Sequence, residues 1–152
     1  YDDSYIKLEK KYKINGLTNK KSTRITRDIL NQILSNKIKI NKLNDPLLNE
    51  FIIKMNTEFL RPIICIEYDR VPFVYKIGTV RITLDYNIRY TNKYHDVFNS
   101  NKKVSYLQNK ILEVKYNELI PGFIKSKLGL NHLEQTSFSK FNNCIDDLSR
   151  RF

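Results

Sequence analysis

Two short stretches place a carboxylate and an ammonium two residues apart: Glu9-Lys10-Lys11 and Glu113-Val114-Lys115. On an extended chain that spacing puts both groups on one face, about 7 Å apart. A third stretch, VRITLDYNIRY at residues 80–90, alternates apolar and polar side chains. As a strand it puts Val80, Ile82, Leu84, Tyr86, Ile88 and Tyr90 on one face. Arg81, Thr83, Asp85, Asn87 and Arg89 then take the other. Carboxylates hold hard divalent ions such as Mg²⁺ or Mn²⁺, which bridge to phosphate. Lysine and arginine neutralise phosphate oxygens, arginine through its planar fork. The chemistry these residues suit together is metal-assisted binding and transfer of phosphoryl groups.

One E-x-K strand alone is most simply an exposed ion pair, worth about 0–1 kcal/mol. Two such strands and a third carrying Arg81 and Asp85 favour a different arrangement. Helices dock on the apolar strand faces and the charged faces turn inward. A closed antiparallel barrel with a charged interior follows, in which water, metal ions or a charged ligand compensate the buried charges. The expected fold class is therefore α+β, an antiparallel β-barrel tunnel with helices packed outside.

The elements that would position these residues are legible from periodicity and turn chemistry. Residues 5–13 alternate, with Ile6, Leu8 and Tyr12 on one side, Lys7, Glu9, Lys11 and Lys13 on the other, and Lys10 interrupting the apolar side. Asn15-Gly16 marks a turn. Thr26 caps a helix carrying Ile29, Leu30, Ile33 and Leu34, and Asp45-Pro46 starts a second with Leu47, Leu48, Phe51, Ile52 and Met55 at helical spacing. RPIICIEYDR reads as a strand, with a break or bulge expected near Val71 because Pro72 follows. The next hairpin turns near Ile77-Gly78. Residues 92–109 read as a long polar connection. Residues 110–118 alternate again, Pro121 opens a short helix ending at Gly129, and QTSFSKFNNCI suits either a strand or a helix.

Composition fits this picture. The chain has 152 residues, 41 % hydrophobic, enough for one domain, residues 1–152, with a sizeable core. Lys plus Arg outnumber Asp plus Glu by 27 to 16, a net charge of +11, which favours anionic partners. Nucleic acid is not the expected one, since the basic residues alternate with carboxylates that would repel a phosphodiester. Cys65 and Cys144 lie in no C-x-x-C pattern, and His95 and His132 are isolated from them, so neither a disulfide framework nor a zinc site is expected. No run reaches the roughly 20 apolar residues of a membrane span and no signal peptide is visible. A cytoplasmic protein without a membrane segment is expected.

In this order, IKLEKKYKINGLTNKKS, EYDRVPFVY, VRITLDYNIR, ILEVKYNELIPGFIKSKL and QTSFSKF resemble the VTC domain of the triphosphate tunnel metalloenzymes. The resemblance spans nearly the whole chain. It implies a tunnel that transfers the terminal phosphate of ATP, or another nucleoside triphosphate, to an inorganic polyphosphate chain with Mn²⁺ or Mg²⁺. Hydrolysis of tripolyphosphate or a nucleoside triphosphate, and non-catalytic polyphosphate binding, are the alternatives. The resemblance assigns phosphate binding to Lys11, Arg70, Arg81, Lys115 and Lys140, and metal binding to Glu113. Glu9 and Asp85 are further metal candidates, though Asp85 also suits an ion pair with Arg81 or Arg89. The family's first strands, with a further basic residue and an R-x-R pair, have no counterpart here. The chain is thus expected to be the C-terminal portion of a longer domain, inactive or open by itself, whose exposed strand edges could pair with another copy.

Overall fold

The computed structural model describes residues 3–15, 17–39, 44–129 and 136–150. Among them the fold is α+β, with antiparallel sheets and four α-helices. The chain divides into two compact units, Tyr1–Ile63 with Asn92–Lys102, and Ile64–Thr91 with Lys103–Phe152.

In the first unit, Ile6–Ile14 (β1) and Leu17–Ile25 (β2) form an antiparallel hairpin. Asn15 has the left-handed φ of 50° that asparagine tolerates at a turn, and its neighbour Gly16 lies outside the described residues. Arg27–Leu34 (α1) is capped by Thr26, whose hydroxyl accepts the Ile29 N–H at 3.3 Å. Pro46–Thr57 (α2) starts as expected, with Asp45 accepting the Leu48 N–H at 2.9 Å and proline in the first turn. The Thr23 hydroxyl also donates to Asp45, and these bonds hold its carboxyl below the usual range. Ile25, Ile33, Leu48, Ile52 and Met55 form the core, with Ile6 and Leu8 against it. Each fully buried aliphatic chain contributes about 1.5–3 kcal/mol. Lys10, on the same strand face as Ile6 and Leu8, ends in an ion pair with Glu50 of α2.

In the second unit, Cys65–Tyr75 (β3) pairs along its length with Val80–Thr91 (β4), through a tight turn at Ile77–Thr79. On the other edge of β4, Ser105–Leu107 (β5) and Ile111–Lys115 (β6) lie end to end. β5 falls inside the stretch expected to be loop. β3 forms an edge of this sheet, and Pro72 sits within it opposite Thr83. An edge strand tolerates the missing N–H, so the break expected near Val71 does not occur. Gly122–Lys127 (α3) follows Pro121, and Gly129 takes a φ of 60° just beyond it. Lys140–Ser149 (α4) resolves the ambiguous stretch as a helix, capped by Ser139 accepting the Asn142 N–H at 3.2 Å.

The irregularity lies on β4 instead. Glu67 faces Arg89 and Asp69 faces Tyr86, so Tyr68 alone spans both Asn87 and Ile88. Asn87 has a φ of 49°, and its side-chain amide donates to Asp69 at 2.8 Å. The extra residue reverses the alternation beyond it. Ile88 and Tyr90 therefore share a face with Arg81, Thr83 and Asp85, not with Ile82 and Leu84 as an uninterrupted strand would have it. Arg89 moves to the opposite face, where it pairs with Glu67 at 3.8 Å and Asp69 at 3.5 Å. One sheet face thus has two halves. The apolar half holds Ile66, Ile88, Tyr90, Leu107 and Ile111, covered by Cys144 and Leu148 of α4. The other half is charged.

Candidate phosphate-binding face

The register of the second sheet sets the charged half out in rows. Arg70 lies opposite Asp85, Thr83 opposite Glu113, and Arg81 opposite Lys115. Successive rows on one face are about 7 Å apart. Lys140 joins them from the first turn of α4, because Lys140, Cys144, Asp147 and Leu148 share one side of that helix. Cys144 and Leu148 pack on the apolar half, while Tyr90 and Asp147 are hydrogen-bonded. This anchorage brings Lys140 to Asp85.

Asp85 is 0 % exposed. Arg70 grips it in a fork, Nε donating to Oδ1 at 2.7 Å and Nη2 to Oδ2 at 2.8 Å. Lys140 Nζ lies 2.6 Å from Oδ2. The Arg70 hydrogen bonds, then those of Lys140, outweigh the opposing push of burial and hold the Asp85 carboxyl down to about 2. The same pairing pushes the Arg70 guanidinium upward. The Arg70 and Lys140 side chains remain 34 % and 23 % exposed, so both cations still face solvent. Three formal charges sum to +1 over a fully buried carboxylate. Such a cluster can attract an anion without rearrangement.

Farther along the face, Lys115 Nζ lies 3.1 Å from Glu113 Oε1, and the Thr83 hydroxyl lies 3.4 Å from Glu113 Oε2. Arg81 is exposed. Of the residues singled out in the sequence, Arg70, Arg81, Asp85, Glu113, Lys115 and Lys140 are brought onto this one face. Glu9 and Lys11 lie in the first unit, together on the face of the hairpin turned from its core. There Glu9 pairs at 3.0 Å with Lys20, which sits opposite Lys11.

For a divalent metal, the donor set supplies single carboxylates. No group of three His, Cys, Asp or Glu side chains that could hold an ion occurs among the described residues. Both Asp85 oxygens face cations, and its partners are Arg70 and Lys140 instead of Arg81 or Arg89. Glu113 is half-exposed beside the phosphate-binding candidates. It fits a Mg²⁺-like ion that takes one carboxylate and completes its shell with water and phosphate oxygens.

The sequence pattern did not single out Tyr68, whose ring lies under both Arg70 and Lys140, 5.1 and 4.8 Å from its centroid. The Y-x-R spacing does place Tyr68 and Arg70 on one strand face. The contact with Lys140 crosses some seventy residues of chain and has no local signal. Cys65 and Cys144 are both buried, and His95 is an exposed residue whose ring is tilted against that of Tyr94, 4.4 Å between centroids. His132 lies outside the described residues. No helix among the described residues is long and apolar enough to cross a membrane.

No curated protein and no solved structure matches the chain. The family model of the VTC domain matches residues 1–149, almost the full length, and so takes in both the rows of charge and the helix that brings Lys140 to them. The chain belongs to the VTC domain family.

Proposed function

We propose that this chain binds the phosphates of a nucleoside triphosphate and an inorganic polyphosphate, and supports transfer of a terminal phosphoryl group from one to the other. The observation that carries the reading is the Arg70–Asp85–Lys140 cluster, on one sheet face with Arg81, Glu113 and Lys115. Family membership points to the same polyphosphate-related chemistry.

In this reading Arg70 and Lys140 bind phosphate oxygens with the donors that Asp85 does not take. Asp85 fixes their orientation before substrate arrives, so that little is lost in ordering them. Arg81 and Lys115 extend the same face by two further rows. Glu113 would hold the divalent ion. That ion, when bound, neutralises developing charge on the transferred group. On the hairpin, Lys11 and Glu9 take the corresponding phosphate and metal roles. The closed tunnel is part of the proposal and rests on the family.

The test supplies the complete gene product with ATP and Mn²⁺ and resolves the products by gel and phosphorus NMR. Long phosphate chains are the expected result. Free phosphate alone would replace the polymerase reading with hydrolysis. Unreacted ATP that nevertheless binds would leave a polyphosphate-binding module.

A further inference from the structure

Arg70 and Lys140 both lie within 3 Å of one carboxylate, so the two cations repel each other while Asp85 neutralises only one of them. A second carboxylate would hold them together but would cancel the charge that attracts phosphate. An aromatic face attracts both without adding any formal charge. Tyr68 offers that face, with the Arg70 guanidinium 5.1 Å and the Lys140 ammonium 4.8 Å from its centroid.

Two further observations place the ring there. Tyr68 and Arg70 are two residues apart on β3, hence on one sheet face. Tyr68 is also the residue opposite which β4 bulges, between the Glu67–Arg89 and Asp69–Tyr86 pairs. A regular ladder would give it one directly opposed side chain. The bulge instead sets Asn87 and Ile88 against it, and the ring, 37 % exposed, meets both cations.

We infer that Tyr68 is a positioning residue: its ring face braces Arg70 and Lys140 together over Asp85 and keeps their net positive charge available to phosphate. The inference rests on the phosphate-binding reading of this face, and it assigns the work to the ring and not to the hydroxyl.

The experiment uses the full chain and inorganic tripolyphosphate without metal, comparing Tyr68→Phe and Tyr68→Leu by calorimetry. The phenylalanine variant keeps the ring and is expected to bind like the wild type. The leucine variant keeps an apolar side chain without the ring and is expected to bind about tenfold more weakly, from the loss of two cation–ring contacts. Equal weakening in both variants would assign the effect to the hydroxyl and overturn the inference. Unchanged binding in both would overturn it as well. Proton NMR tests the brace separately from function: ring current should shift the Lys140 ε-methylene protons upfield in the wild type and in Tyr68→Phe. Absence of that shift in the wild type overturns the brace even if the leucine variant does not fold. A wild type that shows the shift but binds no tripolyphosphate would instead refute the functional reading.

Discussion

Arg70 and Asp85 face each other across β3 and β4, and the guanidinium meets the carboxylate in two hydrogen bonds of 2.7 and 2.8 Å. Because Asp85 is wholly buried and Arg70 is not, the pair has a fixed inner end and an exposed outer one. Removing the inner end should cost more than removing the outer. Asp85→Asn is expected to destabilise the chain by about 2–3 kcal/mol, below the roughly 3–5 kcal/mol of a wholly buried pair because both cations reach solvent. Urea unfolding at neutral pH measures this. A loss under about 0.5 kcal/mol, the level of an ordinary surface substitution, would deny Asp85 its anchoring role.

The same carboxylate gives a pH signature. Its folded pKa, about 2, lies below its ordinary 3.8, so ionised Asp85 favours the folded state. That contribution is complete above the ordinary value and is lost as the pH falls from 3.8 toward about 2. The stability gap between wild type and Asp85→Asn should therefore be flat near neutrality and close over that acid window. Urea midpoints for both proteins across the range test it, and a gap that widens with acid would contradict the assignment.

Arg81 is exposed, so its loss should leave folding nearly unchanged while weakening phosphate binding. Arg81→Ala is expected to bind tripolyphosphate about tenfold or more weakly, as removal of a charge-assisted hydrogen bond implies. Calorimetry at constant ionic strength reads the affinity. An unchanged value would remove Arg81 from the site.

Glu113 should separate metal from phosphate. Glu113→Gln keeps the shape and loses the charge. Metal-free tripolyphosphate binding is expected to be equal or tighter, because a carboxylate that repels phosphate has gone. Metal-dependent turnover of ATP is expected to fall, most steeply at limiting Mn²⁺. Normal turnover there would move the metal role to Glu9, whose own Gln variant is the next measurement.

The bulge makes a prediction of its own. Asn87 sits at a φ of 49°, so Asn87→Val should cost about 1–2 kcal/mol through left-handed strain on a branched side chain, and Asn87→Gly less. Deleting Asn87 would remove the bulge and, by shifting Ile88 and Tyr90 back one place in a regular alternation, keep them on the face of Arg81 and Asp85. That deletion is expected to keep cooperative unfolding, which circular dichroism during a thermal ramp would report.

The bulge also marks where the sequence stops being readable. Alternation correctly put Arg81, Asp85, Glu113 and Lys115 on matching faces, because no irregularity intervenes between them. Beyond Asn87 either parity gives a plausible strand, since Ile88 and Tyr90 are apolar and Arg89 finds acidic partners on the other face. The one local clue is asparagine itself, the common non-glycine residue at left-handed φ. Helix starts at Thr26 and Asp45 were legible because capping is a local event. The partners of Asp85 were not, since Lys140 comes from a helix whose docking depends on Cys144 and Leu148 meeting a sheet built far away in the chain. β5 was missed because three residues carry too little periodicity to distinguish a strand from a loop.

Lys140 and Asp147 stand seven residues apart on one side of α4, one ending in the charged half of the sheet face and the other bonded to Tyr90 in the apolar half. Two turns of helix thus form a rigid lever whose fulcrum is the Cys144 thiol. Enlarging that side chain would tilt the lever and lift Lys140 from Asp85 without altering any residue of the charged half. The place of Lys140 at the charged end is in this way tied to volume at the apolar end, about 6 Å along the helix axis.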